Sequence, residues 1–321
     1  MPTRLHWNFG IQRQITANTV FNANYVGSHS YHLTRNSDAN TAVPQILPDG
    51  RKFYPAGAQR KNPALGGNRT VSTDVNASYQ SFQLDFNQRL SQGLRSKVSF
   101  TYAKSIDDAS ITISQHALGN AQSTQDPDDP GADRGLSSFD LRRNLVVNFT
   151  YDVPASHWAG VAKTLLGGWQ IGTILSVQDG TPFTALAGFS RSRDLARSIA
   201  DRPDLRPGAS KNPVLGGPDQ YYDPSAFVLQ PLGFYGNLGR NTLISPGLVS
   251  LDFSMVKITP LTERTRLDFR AEFFNLLNRA NFGLPDNNVF QPNGVVRGAA
   301  GRIQSTTTTS RQIQFGLKLS F

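Results

Sequence analysis

The chain has 321 residues, a formal net charge of +9, 38% hydrophobic residues and no cysteine. The missing thiols exclude disulfide staples and thiolate metal sites, and no apolar run approaches the roughly 20 residues of a spanning helix, which excludes a helical membrane protein. Lys and Arg are dispersed along the whole chain instead of clustered, so no nucleic-acid partner is expected from the charge.

The opening MPTRLHWNFGIQRQ reads as a strand and not as a signal peptide, having no charged region followed by an apolar one. In it Leu5, Trp7, Phe9 and Ile11 alternate with polar or small residues, and Phe21, Ala23 and Tyr25 do the same in TVFNANY. Further along, SFQLDFNQRL sets Phe82, Leu84, Phe86 and Leu90 on one face, and LRSKVSFTY sets Leu94, Val98, Phe100 and Tyr102. RNLVVNFTYDV, WQIGTILSVQ, VSLDFSM and TRLDFRAEF repeat the pattern, and RQIQFGLKLSF carries it to the last residue through Ile313, Phe315, Leu317, Leu319 and Phe321. Period-two alternation marks strands with one apolar face. Nine such strands are expected, with a tenth conceivable within 179–247.

The connections carry more information than the strands. Tight turns are expected near 15–18, 91–93 and 259–262, a middle-length link at 154–168, and long connections at 28–76, 105–141, 179–247 and 277–310. Short and long links alternate. A soluble domain seldom holds several structureless loops beyond about 15 residues, whereas transmembrane β-barrels combine short periplasmic turns, long external loops and strands that alternate apolar-out and polar-in. Inside hydrocarbon every backbone polar group must be paired within the protein, which leaves the closed sheet as the spanning form once helices are excluded.

The expected fold is therefore all-β: an antiparallel transmembrane β-barrel in the outer membrane of a Gram-negative type cell, here a partial barrel of about nine or ten strands forming a single domain over 1–321. With the final strand ending on the periplasmic side, Trp7, Tyr25 and Tyr102 fall at external strand ends and Tyr151 and Trp169 at periplasmic ones, giving two aromatic girdles. Bacterial single-chain barrels have an even strand number, so nine strands suggest the C-terminal part of a larger barrel, in isolation an open curved sheet with unpaired edges.

The stretches NANYVGSHSYHL, SFTYAKSIDDAS, SSFDLRRNLVVNFTYDVP, GGWQIGTILSVQDGTPFT and LDFRAEFFNLLNRANFG resemble the barrel of TonB-dependent outer-membrane receptors. The likeness is to the Oar-like branch, whose full-length members carry a carboxypeptidase-regulatory-like domain before plug and barrel. Asn275, Leu276, Leu277 and Asn278 are similar to that family's Asn-Leu-Phe-Asn motif, with Leu277 in place of the aromatic. Phe315, Leu317, Leu319 and Phe321 resemble the terminal signal read by the barrel-assembly machinery. The resemblance implies uptake of a bulky solute across the outer membrane, energised through a plug domain and TonB, with no cofactor; neither plug nor TonB-contact box is found here. The alternatives are a passive porin or surface adhesin barrel without energy coupling, and a soluble β-sheet binding module.

No catalytic site is expected. The histidines His6, His29, His32, His116 and His157 are scattered, and neither an HExxH pair nor a P-loop nor a nucleophile elbow is present, GFSRS being too degenerate. Arg264, Arg266, Asp268, Arg270 and Glu272 read as one face of the eighth strand, either a lumen wall for plug or solute or a charge ladder paired with neighbours such as Asp252. Arg95, Lys97 and Arg142 are further lumen candidates. Asp126, Asp128, Asp129 and Asp133 are oxygen ligands of the kind calcium favours, although the prolines at 127 and 130 break the usual spacing; a solvated external loop is the competing reading.

Overall fold

The computed structural model describes residues 1–91, 93–110, 124–154, 159–196 and 201–321. The nine alternating segments are strands: β1 (Thr3–Thr16), β2 (Thr19–Asp38), β3 (Arg69–Ser91), β4 (Leu94–Asp107), β5 (Arg143–Asp152), β6 (Trp169–Gln178), β7 (Leu248–Pro260), β8 (Arg266–Phe274) and β9 (Gln312–Ser320). They hydrogen-bond in chain order, each neighbouring pair antiparallel, with β1 and β9 at the two ends of the order. A two-residue piece, Gly135–Leu136, adds to the rim of β4. Among the described residues no helix is long and apolar enough to cross a membrane.

Register keeps the two faces distinct across the whole wall. Ile11, Ala23, Leu84, Phe100, Leu145 and Val177 are successive partners on the apolar face, and a one-residue slip at any ladder would turn that row inward. Phe9, Tyr25, Phe82 and Tyr102 form the row next to it on the long-loop side. Beyond them Trp7 lies over its partner Gly27, where an added Cβ would come 2.2 Å from the indole nitrogen. Phe253 and Phe273, and Phe269 and Phe315, meet across neighbouring strands at ring separations of 6.0 and 6.3 Å.

The short links all lie at one end of the wall. In the β3–β4 turn Gly93 has φ +88°, and a side chain there would meet the Asp152 carbonyl oxygen at 2.3 Å, so only glycine suits this turn. The β5–β6 link contains a short helix, α1 (Gly160–Leu166), which alternation could not foretell. At the opposite end β2 and β3 run well past their expected limits, through bulges between Ser30 and Leu33 and between Leu33 and Arg35. Backbone pairing continues there although the apolar alternation has ceased, because both faces have left the hydrocarbon.

The long connections are not structureless. Phe183, Tyr222, Phe227, Leu243, Val289 and Phe290, each at most 5% exposed, pack into one core. This core joins 179–247 to 275–311, and backbone bonds such as Ala42 N–H to Asp194 O and Tyr54 N–H to Gly233 O tie in the β2–β3 connection. Residues 179–247 contribute no further strand to the wall among the described residues; β6 pairs directly with β7 from Leu248 opposite Gln178 onward. The result is a knitted cap at the long-loop end.

The Asn-Leu-Leu-Asn stretch is the exit from β8. Asn275 and Asn278 take positive φ of 50° and 49°, a conformation asparagine tolerates better than most side chains. The Asn275 amide group donates to the Arg279 and Thr309 carbonyls, so the motif closes the strand and starts the cap.

Candidate functional site

Among the described residues, two hollows on the polar face of the wall adjoin each other. One, of about 650 Å³, is bordered by Arg89, Arg95 and Lys97 together with Asn22, Asn148 and Thr150. The second, of about 290 Å³, is bordered by Ile174, Asp252, Ser254, Glu272 and Phe274, and shares Asn148 and Thr150 with the first. They therefore form one trough, cationic on the β3–β4 side and acidic with exposed apolar groups on the β7–β8 side. The Arg95 and Lys97 expected in the lumen wall are in it.

The expected five-membered ladder is shorter and pairs differently. Arg264 lies in the β7–β8 turn, not on β8, because Thr262 Oγ1 accepts from the Arg264 and Thr265 amides and closes a local turn before the strand begins at Arg266. The remaining charges pair along their own strand, Arg266 with Asp268 at 3.3 Å and Arg270 with Glu272 at 3.7 Å. Asp252 is occupied elsewhere, accepting from the Asn275 amide at 2.8 Å. Arg142 sits just before β5, 3.5 Å from Asp140 and with its guanidinium 6.0 Å from the Tyr102 ring centroid, at the outer rim and not in the trough.

The acidic loop has a role that its composition conceals. Asp126 pairs with Lys52 at 2.6 Å, Asp128 with Lys61 at 2.7 Å, and Asp133 with Arg202 at 3.0 Å. Asp129 accepts from the Gly131 amide and caps the short 3-10 turn Pro130–Asp133. The four carboxylates point at four different partners, and no group of three acidic or imidazole side chains converges among the described residues. Of the histidines, His116 and His157 lie outside the described residues, while the His29 ring meets that of Tyr31 at 4.3 Å, tilted by 46°.

Three buried arginines, absent from the sequence reading, hold this loop by its backbone. Arg35 donates to Pro127 O at 2.9 Å, Arg202 to Ala132 O at 3.1 Å, and Arg240 to Asp133 O. They are 3%, 4% and 5% exposed, and each also pairs with a carboxylate: Asp74 for Arg35, Asp133 for Arg202, Asp107 for Arg240. Burial pushes the Asp133 carboxyl up from its ordinary range, opposed by the charges of Arg202 and Arg240. Their partners are tens of positions away, so no local spacing could have marked them.

A second polar cluster lies nearby. Asp201 accepts from the Ser192 amide at 2.6 Å and the Ser192 hydroxyl at 3.1 Å, and burial pushes its carboxyl up. Asp194 accepts from the Tyr235 hydroxyl at 3.0 Å; burial, with the Asp201 charge adding to it, pushes Asp194 up as well. Burial also raises Tyr54, which meets the Tyr235 hydroxyl at 3.1 Å, to about 12. These groups fasten the cap together.

Comparison with known proteins agrees with this architecture. The family described as an outer membrane beta barrel domain matches residues 1–314. Among solved structures the chain is similar to the outer membrane transporter YddB from Escherichia coli, at 11% identity and a TM-score of 0.51, over 99% of this chain and 32% of that one. The FrpB iron transporter from Neisseria meningitidis (F3-3 variant) aligns at 10% identity over 99% of this chain and 31% of that one, with a TM-score of 0.44. At such identity the likeness to YddB is one of fold, and the chain spans 32% of that transporter's length. No curated protein matches.

Proposed function

The chain belongs to the outer membrane beta barrel domain family, and on that premise we propose that it is the C-terminal barrel segment of an energy-coupled, TonB-dependent transporter or receptor for a bulky solute, of the Oar-like branch. Its place is the Gram-negative type outer membrane, with the apolar face of the wall against lipid. The observation that carries the transporter reading is the pairing of a polar-lined wall with a knitted cap at the long-loop end. A wall of this kind sees water on its inner face, and a folded cap offers the preorganised surface that recognition of a bulky solute needs.

On this reading the partners are outer-membrane lipid, the barrel-assembly machinery acting on Phe315, Leu317, Leu319 and Phe321, and, in the full-length parent, a plug domain and TonB. The trough bearing Arg89, Arg95, Lys97, Asp252 and Glu272 is the surface such a plug would meet. The role is a non-enzymatic one.

The test is uptake by cells carrying the entire reading frame that contains this chain. Accumulation of a bulky solute that stops when the proton gradient is collapsed, or when TonB is removed, is the expected result. Accumulation that persists unchanged after both treatments would replace energy coupling by a passive channel, and surface attachment without any uptake would replace it by an adhesin.

A further inference from the structure

Among the links at the short-turn end, that between β5 and β6 contains a helix, and the helix bears a stripe of apolar side chains that stays exposed among the described residues. In α1, Val161, Ala162, Leu165 and Leu166 follow the i, i+1, i+4, i+5 spacing of one helix face. Val161 is 75% exposed, Leu165 63% and Leu166 49%. Lys163 and Thr164 fall on the other side. A seven-residue helix is marginal in water by itself, and a bare apolar stripe gives it no reason to persist there.

What holds α1 in place comes from the outward face of the wall. Lys257 and Trp169 are register partners, in the same row as Phe269 and Leu317. The Lys257 ammonium donates to the Thr164 carbonyl at 2.7 Å and also to the Gly167 carbonyl, and lies 5.6 Å from the Trp169 ring centroid. The Trp169 indole N–H donates to Leu165 O at 2.9 Å. These donors satisfy three carbonyls that a helix C-terminus otherwise leaves without partners. Gly168, at φ +69°, lets the chain turn directly from the helix into β6, where a side chain would strike Ile258 O at 2.5 Å. The last turn of α1 is thereby bound by side chains of the lipid-facing surface, not of the trough.

We propose that α1 is an interfacial helix docked on the periplasmic leaflet of the outer membrane, its stripe of Val161, Leu165 and Leu166 sunk among glycerophospholipid acyl chains and Lys163 and Thr164 turned to the headgroups. The occupant follows from continuity: the helix is anchored on Lys257 and Trp169, which stand in the outward row of Phe269 and Leu317, and the Trp169–Lys257 pair has the composition of a membrane interface, an amphipathic ring and a snorkelling amine. The helix would thus fasten one rim of the wall at a fixed depth.

The chain has no cysteine, so single labels can be placed without background. The full chain is reconstituted in vesicles of phosphatidylethanolamine and phosphatidylglycerol with a nitroxide at Leu165→Cys, Val161→Cys, Lys163→Cys or Thr164→Cys, and with Phe315→Cys and Ser254→Cys as wall and lumen references. The expected result is an oxygen-to-nickel-chelate accessibility ratio several-fold higher at 161 and 165 than at 163 and 164, approaching that at 315. Equal, water-like ratios at all four helix positions would overturn the proposal, as would protection of 161 and 165 from both reagents, which marks a protein cover instead of lipid. Labels at 315 and 254 that differ as lipid and water show that the wall is inserted, so a failure at α1 is read independently.

Discussion

In the wall, Phe315 and Leu317 are 67% and 70% exposed; in the cap, Phe183 and Leu243 are 0% exposed. The same residue types occupy opposite places because the two regions face different solvents. In the wall the sheet places apolar side chains outward, toward hydrocarbon, and polar ones toward the trough. In the cap, water surrounds the chain and the apolar groups turn inward, together with the charged pairs of Arg35, Arg202 and Arg240. The difference teaches that burial is no guide to hydrophobic contact in a membrane barrel: exposed phenylalanines in β9 belong to an interface, whereas buried arginines in the cap mark where loops are locked to one another.

The largest effect should come from breaking a charge in the cap. Arg240→Met leaves the buried Asp107 carboxylate without its counter-charge and the Asp133 carbonyl without the Arg240 donor, and loss of one partner of a buried pair costs about 3 to 5 kcal/mol. Limited proteolysis of the external face should then cut within 124–134, which should resist cleavage in the intact protein. Retention of the native proteolytic pattern would mean that the arginines do not lock this loop.

Next comes the polarity of the wall. Phe253 and Ser254 are neighbours in the middle of β7 with side chains on opposite faces, Phe253 in register with Phe273 and Ser254 with Glu272. Phe253→Arg should destabilise the reconstituted protein by about 2 to 4 kcal/mol in urea unfolding, the cost of an arginine at the midplane lipid face, and Ser254→Arg by much less. Equal losses would erase the distinction between the two faces.

A smaller effect concerns pH. Burial raises the Asp194 carboxyl above its ordinary value of 3.8, so the folded cap binds this proton more tightly than the unfolded chain does. The stabilisation is fully present below 3.8 and is lost as pH rises through the raised value. Hydrogen exchange at the cap amides should accordingly quicken as pH rises through that window, after correction for intrinsic exchange, and Asp194→Asn should flatten the trend. A variant with an unchanged slope would remove Asp194 as its source. The smallest change is expected for Lys61→Ala. Its pair with Asp128 has side chains 39% and 42% exposed, and such a pair contributes below about 1 kcal/mol, so the thermal midpoint of the cap should barely move.

The nine wall strands were readable because alternation is a local property: each residue is two positions from the next one on its face. The turn at Gly93 was readable for the same reason, since glycine marks a local backbone shape. The charged face of β8 was readable as a pattern but not as a set of partners. Arg266 and Arg270 pair within their own strand, and Arg264 falls in a turn closed by Thr262. The acidic loop was misleading in composition alone, because carboxylates that look free in the chain meet Lys52, Lys61 and Arg202 from distant segments.

Sequence alone was enough for the strand count, the two-faced wall, the alternation of short and long links and therefore the outer-membrane barrel, because lipid imposes a rule that every strand must obey separately. The cap core, the arginine locks, the Asp194–Asp201 cluster and the placing of α1 against Lys257 and Trp169 were decided only by the tertiary structure. Those features depend on which loops come together in space, and loop partners separated by tens of residues leave no period in the chain to read.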